Sequence, residues 1–203
     1  MEFKGFSKFI ITKEDNSKTK QYKIREKFIE DKYSSRDEIN YLKSIKIKPA
    51  IIKIDKSTIN RTVQLCQKTN QFNLRTKIYN ASDILKLREK NICFLVKLKD
   101  TYGDHGIVSF VSLNVVNNKF IFIDTFLMSC RILGRHLESW ILNEIRKLGV
   151  KKKIDFILAE YIPTKRNIVA KNFILKNNFK KISKKKISTY GAFFKKISDE
   201  EIN

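Results

Sequence analysis

The chain has 203 residues, 42% of them hydrophobic and 32% charged, which is enough for one domain with a short appendage. Six Gly and two Pro exclude collagen-like, propeller-like and proline-rich architectures, and no apolar run approaches the ~20 residues that cross a bilayer. Lys and Arg number 43 against 21 Asp and Glu, a formal charge of +22, with eleven basic and no acidic residues from Lys165 to Lys196. That run poses an anionic partner against plain lysine drift on a tolerant surface. Few aromatics interleave it and no zinc-finger or RNP-like string occurs, so a dedicated nucleic-acid reader is disfavoured; nonspecific nucleic-acid binding remains a third reading. The start Met1-Glu2-Phe3-Lys4 lacks a signal-peptide layout, and a cytoplasmic protein without membrane contact is expected.

In chain order, the spacing Thr12-Lys13-Glu14-Asp15 predicts a helix start, with Tyr22, Phe28 and Ile29 as apolar positions up to Tyr33. A second helix follows Ser35-Arg36-Asp37-Glu38, with Ile39, Leu42 and Ile45 on one face. Pro49 marks the boundary between a helical arm, 1–49, and an α/β domain, 50–203. The domain opens with a strand from Ile51 to Asp55. A helix capped by Ser57 or Thr58 and a second begun by Ser82-Asp83 come next. Three strands, Ile92 to Lys99, Ile107 to Val116 and Lys119 to Met128, are joined by the turn Tyr102-Gly103-Asp104-His105-Gly106 and the hairpin pair Asn117-Asn118. A helix carrying Leu137, Ile141, Ile145 and Leu148 is expected to stop at Gly149. A buried strand from Ile154 to Ala159, a helix from Asn167 to Lys176, and strands through Ile182 to Ile187 and Ala192 to Ile197 complete the order β-α-α-β-β-β-α-β-α-β-β.

The segment with most chemical content lies between a strand and a helix: Arg131-x-x-Gly134-x-His136. Gly134 would let the backbone approach an anion, the amides from Arg131 through Ile132 to Arg135 would face it, and the two arginines would add cationic donors. The competing reading is an ordinary turn into a helix. The cysteines Cys66, Cys93 and Cys130 are widely spaced, without a CxxC or a paired His, so neither a disulfide framework nor a metal site is expected.

The element order and the Arg131-x-x-Gly134 loop resemble the GNAT acyltransferase superfamily. The strings Gln67-Lys68-Thr69-Asn70-Gln71-Phe72-Asn73-Leu74, Ile123-Asp124-Thr125-Phe126-Leu127-Met128-Ser129-Cys130-Arg131 and Glu160-Tyr161-Ile162-Pro163-Thr164 are similar to the C-terminal region of FkbH-like proteins. Those proteins join a haloacid-dehalogenase (HAD)-type domain to a GNAT-type domain and handle glyceryl units on acyl carrier proteins. Phe9-Ile10-Ile11-Thr12-Lys13-Glu14-Asp15 is similar to the end of that HAD-type domain, but no Asp-x-Asp-x-Thr nucleophile motif occurs. Any HAD-type partner would then be a separate domain or subunit.

The resemblance implies a GNAT-type mixed sheet acting on acyl-CoA or a phosphopantetheine thioester. The backbone near Leu127 and Ser129 would pair with the pantetheine. Arg131, Ile132, Gly134, Arg135 and His136 would hold its phosphates, with Asn167 opening the second motif. Gln67, Asn70, Gln71 and Asn73 would line the acceptor side. Glu160 and Asp124, at two strand ends, are the candidate general bases; the alternatives are a loop anchor for Asp124 and a pair with Arg166 or a lysine for Glu160. Ile174 stands where the superfamily often has an acid tyrosine and Asn178 where it usually has Gly, leaving Tyr161 or Tyr190 as substitute phenols. The lysine-rich run would then dock an acidic acyl carrier protein or the nucleotide's 3′-phosphate, and a non-catalytic carrier-binding module is the main alternative function.

Overall fold

The computed structural model describes residues 18–181 and 192–196. The readings made on Phe9 to Asp15, Ile182 to Ile187 and Tyr190 lie outside them. The elements are α1 (Lys18–Ser34), α2 (Glu38–Ser44), β1 (Lys48–Ile52), α3 (Ile59–Lys68), β2 (Phe72–Asn73), α4 (Ala81–Lys90), β3 (Ile92–Asp100), β4 (Gly103–Val116), β5 (Phe120–Met128), a 3-10 turn Cys130–Ile132, α5 (Leu137–Lys151), β6 (Phe156–Glu160), α6 (Ile168–Lys176), β7 (Lys180–Lys181) and β8 (Ala192–Lys196). The sheet runs β1-β3-β4-β5-β6-β8-β7, with β2 attached to β5. Among the described strands only β5 and β6 pair in parallel, as expected for strands joined through the crossover helix α5.

Alternation along the strands feeds two cores. Ile121, Ile123, Phe126 and Met128 of β5 point to the side where Ile141 and Ile145 of α5 and Phe173 of α6 pack. Leu127 points to the other side, with Leu65 of α3 and Ile84 of α4. The result is a sheet covered by helices on both faces. Ile123 and Phe126 share a face although three positions apart, because β5 carries an extra residue. Against β4, Ser112 pairs with Thr125 and Leu113 with Ile123, leaving Asp124 unmatched. A one-residue bulge of this kind bends its strand and resets which side chains face inward.

Several turns are made without glycine. Asn117 and Asn118 take φ of 51° and 52° at the β4–β5 hairpin, as the sequence predicts. Gly149 does not end α5: it lies inside the helix, buried, and its carbonyl accepts the closing bond from the Ile154 amide at 2.9 Å, while Lys153 takes the left-handed position. Asn178 does the same for α6, with φ 55° and the Phe179 amide bonded back to Ile174. Pro49 sits within edge strand β1, paired with Leu98, so the expected arm–domain boundary falls inside the sheet.

Contacts between α1 and the domain gather around one buried ring. Phe28 of α1 is 1% exposed, whereas Tyr22 and Tyr33 are 60% and 86% exposed. The Arg135 guanidinium stacks 3.8 Å from the centroid of Phe28, and Arg135 Nε donates to Asp100 Oδ2 at 2.7 Å. His105, expected as a turn residue, is buried instead, with Nε2 2.9 Å from Asp100 Oδ1. The reason is that the Gly103–Gly106 stretch continues as strand β4 rather than forming an open loop. Tyr102 bonds Asp31 of α1 and, at 2.7 Å, Tyr41 of α2.

Burial alone would raise the Asp100 pKa, but hydrogen bonds from His105 and Arg135 and their charges outweigh it and hold the carboxyl below the usual aspartate range. A folded-state pKa below the unfolded one contributes stability above about pH 4, lost as pH falls through the folded value. Acid unfolding monitored by circular dichroism should therefore lose part of its pH dependence in Asp100→Asn. Arg135→Ala, which leaves a buried carboxylate short of one of its two partners, should lower the unfolding free energy by on the order of 3–5 kcal/mol in urea titrations.

Candidate active site where the sheet opens

β5 and β6 pair from Phe120 with Phe156 to Ile123 with Ala159. The next residue on each strand is a carboxylate, Asp124 and Glu160. There the bulge carries β5 away, and the gap is filled by the chain itself: Asn73 pairs with Leu127 and Phe72 with Met128. The Leu74 amide donates to Phe126 O at 3.2 Å, and the Ile162 amide to Leu74 O at 2.8 Å. A short extended segment, Phe72 to Leu74, thus lies between β5 and the continuation of β6. The backbone of Leu127, expected to pair with a pantetheine arm, has its outer edge taken by β2.

Arg75 ends this segment and ties the two carboxylates together. Its Nη1 is 2.5 Å from Asp124 Oδ1 and 3.1 Å from the carbonyl of Asp124, the bulged residue. Its Nε lies 2.6 Å from Glu160 Oε2, a close ionic contact outside hydrogen-bond alignment. The guanidinium also sits 5.1 Å from the centroid of the Phe122 ring. The side chains of Asp124 and Glu160 are 13% and 7% exposed. Tyr79 donates to Asp124 Oδ2 at 3.2 Å and lies 3.0 Å from Thr125 Oγ1. Burial pushes the Tyr79 phenol well above the ordinary tyrosine range, so it is a neutral proton donor beside a carboxylate. Neither Arg75 nor Tyr79 was singled out from sequence. The one local cue was an arginine directly after the polar Gln67–Asn73 string. Glu160 pairs with Arg75 rather than Arg166, which is exposed.

The loop expected to hold phosphates faces the arm. Gly134 has φ 90°, and a Cβ there would lie 3.4 Å from the Phe28 ring and 3.5 Å from Lys32 Nζ. Lys32 Nζ donates to Gly134 O at 3.2 Å. Arg131 bonds Gln21 and, at 2.7 Å, the carbonyl of His105. Arg135 is buried on Asp100 and Phe28, and Ile132 is fully buried. These side-chain contacts hold the arm and the turn, and Arg135, buried on Asp100, presents no donor to the surface. His136 is 59% exposed, caps α5 in a left-handed conformation at φ 56°, and lies 3.2 Å from Glu38. A cleft of about 150 Å³ beside the loop is lined by Ser129, Cys130 and Arg131 with Arg61, Gln64 and Lys68 of α3.

The expected acceptor-side residues disperse. Gln67 and Gln71 are exposed, and Asn70 lines a second cleft of about 290 Å³ with Thr76, Thr164, Lys165 and Arg166. Asn73 is buried, its Oδ1 accepting from the Thr76 amide at 2.9 Å. Asn167 is saturated: Nδ2 donates to Asn73 O and Ile162 O, and Oδ1 accepts from the Thr164 amide and Tyr161. It is a clamp on the β2 segment, with no group left for a ligand. Tyr161 is spent on that contact, and Ile174 is 1% exposed in the core. Burial raises the Cys66 thiol to about 12 and the Cys93 thiol in the same direction, which removes both as nucleophiles. Among the described residues no group of His, Cys, Asp or Glu is placed to hold a metal, and no helix is long and apolar enough to cross a membrane.

No protein-family model matches the sequence, and no curated protein matches it. Solved structures do match. The ribosomal-protein-S18-alanine N-acetyltransferase of Escherichia coli is 12% identical, with a TM-score of 0.54 over 74% of this chain and 95% of its own. A GNAT-family acetyltransferase of Staphylococcus aureus is 13% identical, with a TM-score of 0.57 over 74% and 100%. The N-acetylglutamate synthase of Neisseria gonorrhoeae, solved with coenzyme A and N-acetyl-glutamate, is 9% identical with a TM-score of 0.56, over 74% of this chain and 35% of its own. At these identities the likeness establishes the fold: this chain has the mixed α/β sheet of the GNAT acyltransferases.

Replacing Arg75 with Met would leave two neighbouring, mostly buried carboxylates without their common partner. The variant should lose about 3 kcal/mol of unfolding free energy at neutral pH, and Arg75→Lys, which keeps the charge but not the fork, should recover part of it.

Proposed function

We propose that this chain is an acyltransferase that moves an acyl group from a pantetheine thioester, on coenzyme A or on an acyl carrier protein, to a small amine or hydroxyl. The observation that supports it is the meeting of Asp124 and Glu160 at the point where β5 and β6 part, on a sheet shared with N-acetyltransferases. Glu160 is the base that takes the proton from the attacking amine or hydroxyl, and Tyr79, held against Asp124, is the nearby phenol in place of the one missing at Ile174. The donor does not fit the form described here, because Phe72 to Arg75 fills the gap and engages both carboxylates.

A carrier protein is the favoured donor on charge. Lys165, Arg166, Lys171, Lys176, Lys180 and Lys181 are all exposed, around the exposed apolar residues Ile168 and Leu175 of α6. An acidic carrier would be steered to that face. A non-catalytic module that binds a carrier and works with a separate HAD-type protein is the second reading; the hold of Arg75 on Glu160 and the buried Ile174 favour it.

The two are separated by Glu160→Gln, assayed for transfer from acetyl-CoA and from an acylated carrier, alongside thermal shifts with the same ligands. Loss of transfer by roughly 10²–10⁴-fold with the ligand-induced shift retained supports Glu160 as base. Equal transfer in wild type and variant removes that role, and thermal shifts without transfer in either protein favour the binding module.

A further inference from the structure

We propose that the segment Phe72–Arg75 is a displaceable strand: it competes with the donor's thioester arm for the gap between β5 and β6, so that the free protein rests closed. The inference rests on the thioester reading above and adds its regulation. Three observations carry it. First, the segment occupies the route to the carboxylates. Its ladder with β5 spans Leu127 and Met128, its Leu74 carbonyl takes the Ile162 amide, and its Arg75 covers Asp124 and Glu160. No substrate reaches the proposed base until Arg75 moves.

Second, the segment's hold is of a kind that a ligand can replace. The strand is two residues long, and beyond it the backbone is tied by single hydrogen bonds to Phe126, Ile162 and Asn167. The Phe72 ring against Phe126 and Phe173 and the Arg75 contacts with Asp124 and Glu160 are what an entering chain must displace. It is flanked by exposed Asn70 and Gln71 on one side and by Thr76, at φ 53°, with exposed Lys77 and Ile78 on the other. Third, a pantetheine arm has the right chemistry for exchange. It is an extended chain with two amides, able to meet the same β5 and Ile162 backbone groups, and its methylene and dimethyl groups would refill space left by Phe72 and Leu74. Both side chains are fully buried, so the exchange has a real opposing term. The apparent affinity for the donor is reduced by the fraction of molecules that are open.

The test uses the full chain and coenzyme A. Asn73 and Leu127 face each other across the ladder, so Asn73→Cys combined with Leu127→Cys gives a reducible lock. Oxidation should weaken coenzyme A binding at least tenfold by calorimetry, and reduction should restore it. In wild type, saturating coenzyme A should speed exchange of the Leu74 amide and tryptic cleavage after Arg75 at least tenfold. Phe72→Ala, checked for folding by circular dichroism, should bind coenzyme A more tightly than wild type. Equal binding by the oxidised and reduced lock, or a Leu74 amide still protected at saturation, overturns the displaceable strand and leaves the thioester reading standing. Absence of binding by wild type, the reduced lock and Phe72→Ala alike, to coenzyme A and to a phosphopantetheinylated carrier, overturns both.

Discussion

The arrangement depends on one extra residue in β5. With Asp124 unmatched against β4, the strand bends just after its short parallel pairing with β6, and the two strands separate. Separation inside a covered sheet would strand backbone amides and carbonyls away from water, a cost a fold cannot carry at many positions. The chain answers locally. Phe72 to Leu74 supplies the missing strand, Arg75 reaches the bulge carbonyl and both carboxylates, and Asn167 uses all its polar atoms to fix that segment to the loop after β6. Each is a response to the same bend. The chemistry proposed for Glu160 and Asp124 is located where it is because the bulge sets them side by side at an edge.

A second buried charge cluster sits at the same end of the sheet, two strands over, at the C-terminal end of β3. Asp100 closes β3, and His105, Arg135 and Phe28 gather on it from β4, the loop before α5, and the arm. The arm has little amphipathic character of its own, and most of its side chains stay in solvent. Its attachment through Phe28, Lys32 and Asp31 makes it part of the loop that joins β5 to α5, so the arm and the candidate site belong to one connected structure.

The regular elements were legible because their periodicity is local. α5, the three-stranded meander and the Asn117-Asn118 hairpin announce themselves within windows of ten residues or so. The juxtaposition of Asp124 and Glu160 was legible in part: the topology makes their strands neighbours, but Asp124 lies at a bulge inside β5 and not at its end, where the sequence reading put it. β2 left no such trace: two residues have no period, and their reason to be extended lies in a gap made by residues some fifty positions away. Arg135 misled for a related reason. An arginine in a glycine turn before a helix reads the same whether it faces a phosphate or an aspartate from a distant strand. His105 was hidden by its glycines, which signalled an open turn where the chain makes an irregular strand. Asn167 pointed correctly to the start of α6, but nothing in its neighbours showed that its partners are protein groups.

The attachment of the arm also bears on how the protein is made. α1 is synthesised well before the groups that bury Phe28, since Tyr102 follows β3 and Arg135 follows β5. An isolated helix of this length, without a strong apolar face, has nothing to stabilise it in the interval. This helix is thus made early and settled late. A nascent chain stalled before Arg135 would lack the guanidinium that covers the Phe28 ring, and α1 would wait for it in water.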